Sequence, residues 1–490
     1  MTNNTSSVTS FHQISWLFVW VLLAGILLPR LAAWGMFHDG VTYATIARNL
    51  SIGLGQWWKP YYTATLHPEF YEHPPLVFVI QSFFFTLFGD HYLVEKFYSF
   101  TTMLLSLISV VCLWSYLTEE EDNFRRYTWL PILLWLAMPR WQWAYQNNIL
   151  ENTLTVFCLL SFVCSFQALY TPYLFRRILY SFCAGLMVFA AFLSKGPVGL
   201  FPLTAPLLYV IVVDHTGIRR GVSVTLVCIF SAVGLFGLLL LYEPAWVDLN
   251  QYFSHQVLSS LKGQPQDGIN EIGQLSFIFS MTKELIPSLV IIALVFIFAR
   301  YDNSLSLPQK MNRKAAACLL IALSGSLPVL LSYKQHSYYI VPTLPFFALA
   351  SSLLLCPSLS RMFDRRIPIW KDQSFRLLYK IAVGAILCIG TVSLFLINRP
   401  YRDTDVFHDL QAISRIVPAG SIVGIHPSER GDWELHAYLH RHLQISLDGS
   451  PTAKERSFYL YPVGAKTLPR EFETTGVTLE RALLLKKRPL

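Results

Sequence analysis

The sequence predicts an all-α polytopic membrane protein with a small α/β domain at its C-terminal end. Three observations predict this. Hydrophobic residues make up 53% of the 490 and charged residues only 14%, with a mean hydropathy of +0.44. Soluble domains do not have that usage. The apolar residues gather into runs of roughly 17–25, the length that crosses a hydrocarbon core of about 30 Å. After Leu396 these runs stop, and residues 398–490 become mixed polar, with Pro, Gly and many charges.

Runs long enough to span lie near 14–34, 93–117, 128–145, 150–170, 179–195, 197–213, 222–242, 284–300, 315–333, 338–356 and 377–397, about 11 spans in all. The first, over 14–28, lacks a basic leader and a small-residue cleavage site, so it reads as a retained span. Residues 75–89 form a further apolar run that is short for a crossing and suits an interfacial helix.

Loop charge then fixes the parity. If 75–89 does not cross, alternate loops carry Arg125/Arg126, Arg176/Arg177, Arg219/Arg220, Arg300/Lys310/Arg313/Lys314 and Arg361/Arg365/Arg366/Lys371/Arg376. Cytoplasmic loops hold the excess of Lys and Arg, which puts this set inside. Residues 37–76, the 141–151 turn, Lys195, the 243–283 loop and residues 334–339 then share the outer face, as does the polar C-terminal part. The domains read from this are a transmembrane module over 1–397, with an outer-face loop at 34–92, and an extracytoplasmic α/β domain over 398–490. In the latter, residues 406–416 and 433–439 have helical spacing and 421–425 reads as a buried strand.

Several function classes are excluded. The net charge of +8 comes from short basic pairs between spans and does not form a basic stripe, so no nucleic-acid partner is implied. All eight cysteines fall in or at the ends of apolar runs with no CxxC, so neither structural disulfides nor a thiolate zinc site is expected. No Walker motif, GxGxxG run or GxSxG elbow is present, so the chain carries no nucleotide-site signature.

The outer-face loop 37–76 holds Asp39, Arg48, His67, Glu69, Glu72 and His73. Ionisable groups held at a membrane face are costly unless they are used. Asp39 precedes an amphipathic run over 41–50. It reads either as a helix N-cap or as a general base facing a cavity, and the two roles are compatible. Glu72 and His73 open the short helix at Pro74-Pro75; they read as phosphate or divalent-ion contacts, with metal the minority reading. Glu151 begins a span, where the helix dipole alone favours a carboxylate. Lys195 and Lys334 sit at span ends, placed either to snorkel to the interface or to meet a lipid phosphate. His255 is a lone histidine in the 243–283 loop.

In the order of these motifs the chain resembles the GT-C membrane glycosyltransferases, most of all the branch holding protein O-mannosyltransferases and bacterial lipid A aminoarabinose transferases. The matching residues are Asp39 in the first outer loop, Glu72–Leu76 (E-x-P-P-L), Phe88-Gly89 before Lys96, Ser194–Gly196 (S-K-G) and Lys334 with Tyr339 to Pro342 (K…Y-I-x-P). They are short motifs, spread in order over residues 10–400. The resemblance implies a sugar moved from a polyprenyl (undecaprenyl) phosphate carrier to a glycolipid such as lipid A, a glycan or a protein, at the periplasmic face of a bacterial inner membrane. It implies Asp39 as catalytic base and Glu151 as a second acidic residue near the site. It also implies Arg48, His73, Lys195, Lys334 and Tyr339 about the carrier phosphate. No cofactor is required, though relatives place zinc at positions that match Glu72 and, loosely, His255. Relatives often carry Asp-Glu where this chain has Asp39-Gly40, and aminoarabinose transferases carry Lys where it has His73. A glycan ligase or polymerase and a lipid or sugar flippase are the alternative functions. Charge clustered at one face and the lack of an internal repeat favour an enzyme over a transporter.

Overall fold

The computed structural model describes residues 2–214, 217–262, 274–366, 372–463 and 468–488. The 263–268 part of the KGQPQDG stretch and Lys371 lie outside them.

Helix α1 (Thr2–Ala32) leads into α2 (His38–Ser51), a two-residue ribbon of β1 (Gly55–Gln56) and β2 (Lys59–Pro60), and α3 (Leu76–Phe88). The bundle continues with α4 (Tyr92–Leu117), the short α5 (Asp122–Arg125), α6 (Trp129–Leu136), α7 (Pro139–Gln146), α8 (Leu150–Tyr170), α9 (Leu174–Lys195) and α10 (Ala205–Val213). It closes with α11 (Ile218–Leu240), α12 (Glu243–Tyr252), α13 (Leu258–Lys262), α14 (Gln274–Tyr301), α15 (Gln309–Ser326), α16 (Leu344–Arg366) and α17 (Asp372–Leu396). Among the described residues, nine helical stretches are long and apolar enough to cross a membrane.

Two of the expected spans take a particular form. The runs at 179–195 and 197–213 belong to one 40-residue stretch, Leu174–Val213, which breaks at Gly196. That glycine has φ +77°, and a Cβ there would lie 1.9 Å from the Tyr252 hydroxyl. Only glycine fits such a backbone against such a neighbour. The run at 128–145 becomes α6 and α7, eight residues each. Pro139 holds Met138 in the extended region (φ −84°, ψ 117°) and so parts them.

Helix α3 has 13 residues, about 20 Å at 1.5 Å per residue, too short for a bilayer core of about 30 Å. It buries Val77, Phe78, Gln81, Ser82 and Phe85 against α2 and α4. Phe83, Leu87 and Phe88 are exposed on the other side. An apolar outer face on a helix of this length suits lying along the membrane.

After α17 the chain folds into α18 (Thr404–Ile413), β3 (Ile422–Ile425), α19 (Trp433–Leu443), β4 (Ser446–Asp448), β5 (Phe458–Pro462), β6 (Phe472–Thr478) and β7 (Ala482–Lys487). The sheet order is β4-β3-β5-β7-β6. Strand β3 runs parallel to β4 and β5, while β7 is antiparallel to β5 and β6. The continuous apolar run Ile-Val-Gly-Ile suits this central parallel strand. The core of this part takes in Met36 and Val41 from the first outer loop. The Tyr438 hydroxyl accepts from Met36 N at 2.7 Å and donates to Met36 O at 2.8 Å. Arg441 on α19 holds Asp90 at 2.6 Å and Glu95 at 2.9 Å. The C-terminal part is thus built onto α2 and the head of α4.

Candidate active site

The site begins at the first turn of α2. Its N-cap position is Phe37, and no side chain caps it from within. Instead Phe37 N donates to Asn147 Oδ1 at 2.6 Å. Asp39 is the second residue of the helix and its side chain makes no capping bond, so the capping role expected for it does not hold. Gly40 explains why this docking works: a Cβ there would lie 1.8 Å from the Asn147 carbonyl oxygen. Asn148, itself left-handed at φ 50°, donates from Nδ2 to Gly40 O at 3.3 Å. The turn before α8 therefore rests on the turn that carries Asp39. The Asp-Glu pair of relatives has no room in this arrangement.

Asp39 Oδ2 accepts from the Tyr338 hydroxyl at 3.2 Å. Its Oδ1 lies 3.3 Å from His38 Nε2, and His38 Nδ1 lies 3.4 Å from Glu434 Oε1 on α19. Tyr338 is held flat between Trp143 (5.3 Å between rings, 20°) and His336 (5.1 Å, 6°). Two stacked neighbours fix the ring plane and so aim the hydroxyl. Beyond Tyr338, the Lys195 ammonium lies 5.1 Å from its ring centroid and 4.7 Å from that of Tyr339. Lys195 is ion-paired to Glu151, and both side chains are buried. Asp39, Tyr338, Lys195 and Glu151 thus form one contiguous chain of contacts.

A cleft of about 280 Å³ adjoins this chain, lined by Glu72, His73, Lys195, Lys334 and Tyr339 and walled by apolar residues such as Val257 and Leu331. Its polar end is cationic. Lys334 makes no ion pair among the described residues, whereas Lys195 is shared with Glu151. His73 is neutral there: burial, and then the charges of Lys195 and Lys334, push its imidazole far below the ordinary histidine range. Its Nε2 lies 3.2 Å from the Tyr43 hydroxyl, one turn beyond Asp39 on α2. An apolar cleft ending in two lysine ammoniums and a neutral imidazole, with Glu72 at its edge, can hold an anionic headgroup with its hydrocarbon tail.

Residues 72–242 match the family model for dolichyl-phosphate-mannose-protein mannosyltransferases. No curated protein matches the sequence. The crystal structure of ArnT from Cupriavidus metallidurans bound to undecaprenyl phosphate superposes with a TM-score of 0.63 at 17% identity, over 96% of this chain and 97% of that one. The chain has the GT-C fold. The apo form of that ArnT gives a TM-score of 0.62 at the same identity and coverage. The oligosaccharyltransferase AglB from Archaeoglobus fulgidus, solved with an inhibitory peptide and a dolichol-phosphate, gives 0.52 at 11% identity, over 89% of this chain and 65% of that one.

Within this GT-C frame, three sequence-derived site residues stand apart from the cluster. Arg48 points away from the cleft. Its guanidinium bonds Asn49 at 3.0 Å, Asp90 at 3.1 Å and the His440 carbonyl at 3.1 Å. It is 1% exposed and fully engaged, so it joins α2 to α19 and does not face a phosphate. Glu72 borders the cleft but lies 3.6 Å from His67 Nε2. His255 is exposed in a π-turn after α12. Among the described residues no three His, Cys, Asp or Glu side chains converge as a metal-ligand set. Glu72 and His255 therefore do not fit the zinc pair that the resemblance implies.

Sequence reading missed four participants. Tyr43 could have been found: it lies four residues after Asp39 on one helix face. Tyr338 lies beside the K…Y-I-x-P motif but was not separated from Tyr339. His38 was hidden as the neighbour of a more suggestive residue. Glu434, 395 positions from Asp39, had no local signal.

Proposed function

We propose that this chain is an inverting glycosyltransferase that takes a sugar from a polyprenyl-phosphate carrier, undecaprenyl phosphate in bacteria. The observation that carries the reading is the apolar cleft ending at Lys334, Lys195 and His73, with Asp39 one tyrosine away. In the reaction, an acceptor hydroxyl or amine attacks the anomeric carbon. The new bond forms from the acceptor atom to that carbon, and the bond from the carbon to the carrier phosphate oxygen breaks. The acceptor proton passes to Asp39. Lys334, with Lys195 beside it, stabilises the charge gathering on the departing lipid phosphate. The transition state is oxocarbenium-like, as in glycoside hydrolysis. Glu151 holds Lys195 in place through their buried ion pair.

The acceptor is a glycolipid, a glycan or a protein. The site lies on the outer face of the membrane, periplasmic in a bacterium with two membranes. The basic loops at the opposite end of the bundle support that orientation. ArnT, solved with undecaprenyl phosphate, and AglB, solved with a dolichol-phosphate, share this fold and support the choice of carrier.

The test is binding of undecaprenyl phosphate to the purified protein in detergent, paired with mass spectrometry of surface glycolipids and glycoproteins with and without the gene. Saturable binding that weakens by roughly tenfold in Lys334→Ala is expected, from loss of one charge-assisted contact of about 1.4 kcal/mol or more. Binding that is equal in parent and variant, with unchanged glycans, would overturn the reading.

A further inference from the structure

We propose that the C-terminal domain sets the catalytic carboxylate through a relay, Glu434–His38–Asp39, in which protonated His38 orients Asp39 Oδ1. This rests on Asp39 acting as the base. His38 is the first residue of α2, and carboxylates face both of its ring nitrogens, at 3.3 Å on Nε2 and 3.4 Å on Nδ1. A neutral imidazole has one N–H and can serve one of them. The imidazolium carries a charge that attracts both; at these distances the contacts are ionic, since His38 Nδ1 makes no hydrogen bond.

The other side of Asp39 is already fixed by Tyr338, so His38 completes a two-point hold on the carboxylate. Glu434 is itself rigidly placed. It lies in the first turn of α19, and that helix is pinned by Arg441 on Asp90 and Glu95, by Arg48 on the His440 carbonyl and by Tyr438 on Met36. The side chains of His38, Asp39 and Glu434 are 26%, 28% and 32% exposed, shielded enough for their charges to be felt.

Other charged groups also face His38. Arg402 opposes its charge. His336 does not compete, because burial, and then the Lys195 charge, hold it down at about 4. For His38 itself burial is the largest single influence and disfavours the proton. The Glu434 contact and the charges of Asp39 and Glu434 together outweigh it and raise the group above its ordinary value. While its carboxylate partners are ionised, the charged relay is present below that raised value and is lost as pH rises through it.

Glu434 has a plainer role open to it, since an acidic residue in a first helical turn is favoured by the helix dipole. The experiment separates the two. The full-length protein, labelled with ¹⁵N-histidine in detergent, is titrated by NMR, with the His38 resonance assigned by its loss in His38→Gln. The parent midpoint is expected above about 6.5, falling by about one pH unit in Glu434→Gln. Glu434→Asp, which keeps the charge, is expected to restore part of that shift. A parent midpoint at or below about 6.5, or one unmoved by Glu434→Gln, overturns the relay.

Turnover of undecaprenyl-phosphate-linked mannose and aminoarabinose is then followed as released undecaprenyl phosphate. The alkaline limb of the rate is expected to move down with the midpoint in Glu434→Gln, the acid limb staying in place. His38→Gln is expected to lower kcat by roughly tenfold with little change in KM, for the loss of the imidazolium's ionic contact with Asp39, and to lose that limb. An equal fall at every pH in Glu434→Gln makes Glu434 a helix-end residue only and overturns the relay. If neither donor is turned over by the parent, the transferase reading fails for those sugars, and the titration still decides the relay.

Discussion

The ammonium of Lys195 rests on the carboxylate of Glu151, the last residue of α9 against the second residue of α8. Each charge also sits at the helix end whose dipole favours it. The pair is buried, at 7% and 1% side-chain exposure. Removing one partner of such a pair leaves an uncompensated charge and costs about 3–5 kcal/mol. Lys195→Ala is therefore expected to lower stability by that amount as well as weaken carrier binding. The double change Lys195→Met with Glu151→Gln is expected to recover most of the stability and none of the binding. Thermal melting and undecaprenyl phosphate titration on the same samples check this. A Lys195→Ala variant that melts with the parent would make the pair energetically silent.

Asp39→Asn separates base from scaffold. The cap of α2 comes from Asn147, so the amide changes little in the helix start. Asn cannot accept a proton at neutral pH, and a general base contributes about 10²–10⁴-fold. Transfer is expected to fall by at least about a hundredfold, with carrier binding and melting temperature close to the parent. Tyr338→Phe, which keeps the ring stack and loses the bond to Asp39, is expected to cost roughly five- to tenfold, for one hydrogen bond of about 1 kcal/mol or slightly more. Near-parent turnover in the Asn variant would move the search for the base to Glu151 or Glu72.

Arg441→Ala tests how the C-terminal part is joined to the bundle. Its loss leaves Glu95, 3% exposed on its side chain, buried without its partner. A cost of about 3–5 kcal/mol is expected, again from an orphaned buried charge. Limited proteolysis should then cut the chain between α17 and α18 at lower temperature than in the parent. Unchanged proteolysis and melting would show that Tyr438 and the apolar contacts of Met36 and Val41 hold the junction alone.

Orientation in the membrane is read by labelling single cysteines in a cysteine-free background with an impermeant maleimide in intact cells. Ser428→Cys in the C-terminal part and Gln309→Cys at the opposite end of the bundle are both exposed positions. Labelling of Ser428→Cys alone is expected. Labelling of Gln309→Cys alone would invert the topology.

The sequence by itself determined the solvent of each segment. Run length and composition placed the spans, because a bilayer core imposes a length that no pairing can change. The short helix after Pro74-Pro75 was legible for the same reason, since α3 is too short to cross. Loop arginines predict a parity that groups Asp39, Glu151, Lys195 and Lys334 on one face, and the structure brings these residues together at one site. The C-terminal helices and the first strand were read from periodicity and buried apolar runs. β5, β6 and β7 were not, because their apolar pattern is weak, and β5 pairs with β7 across the intervening β6.

Only the tertiary structure decided which charge meets which. Lys195 finds Glu151 across 44 positions, and His38 finds Glu434 across a whole membrane module. Arg48 shows the limit from the other side. It lies on the helix of Asp39, nine residues further on, yet it turns to Asp90 and the α19 backbone. Fourteen residues of α2 turn through nearly four full circles at 3.6 residues per turn, so closeness in sequence to Asp39 does not fix the face that Arg48 presents. Coulomb attraction and the cost of an unpaired buried charge act through space, and the chain carries no local mark of a partner that only folding brings near.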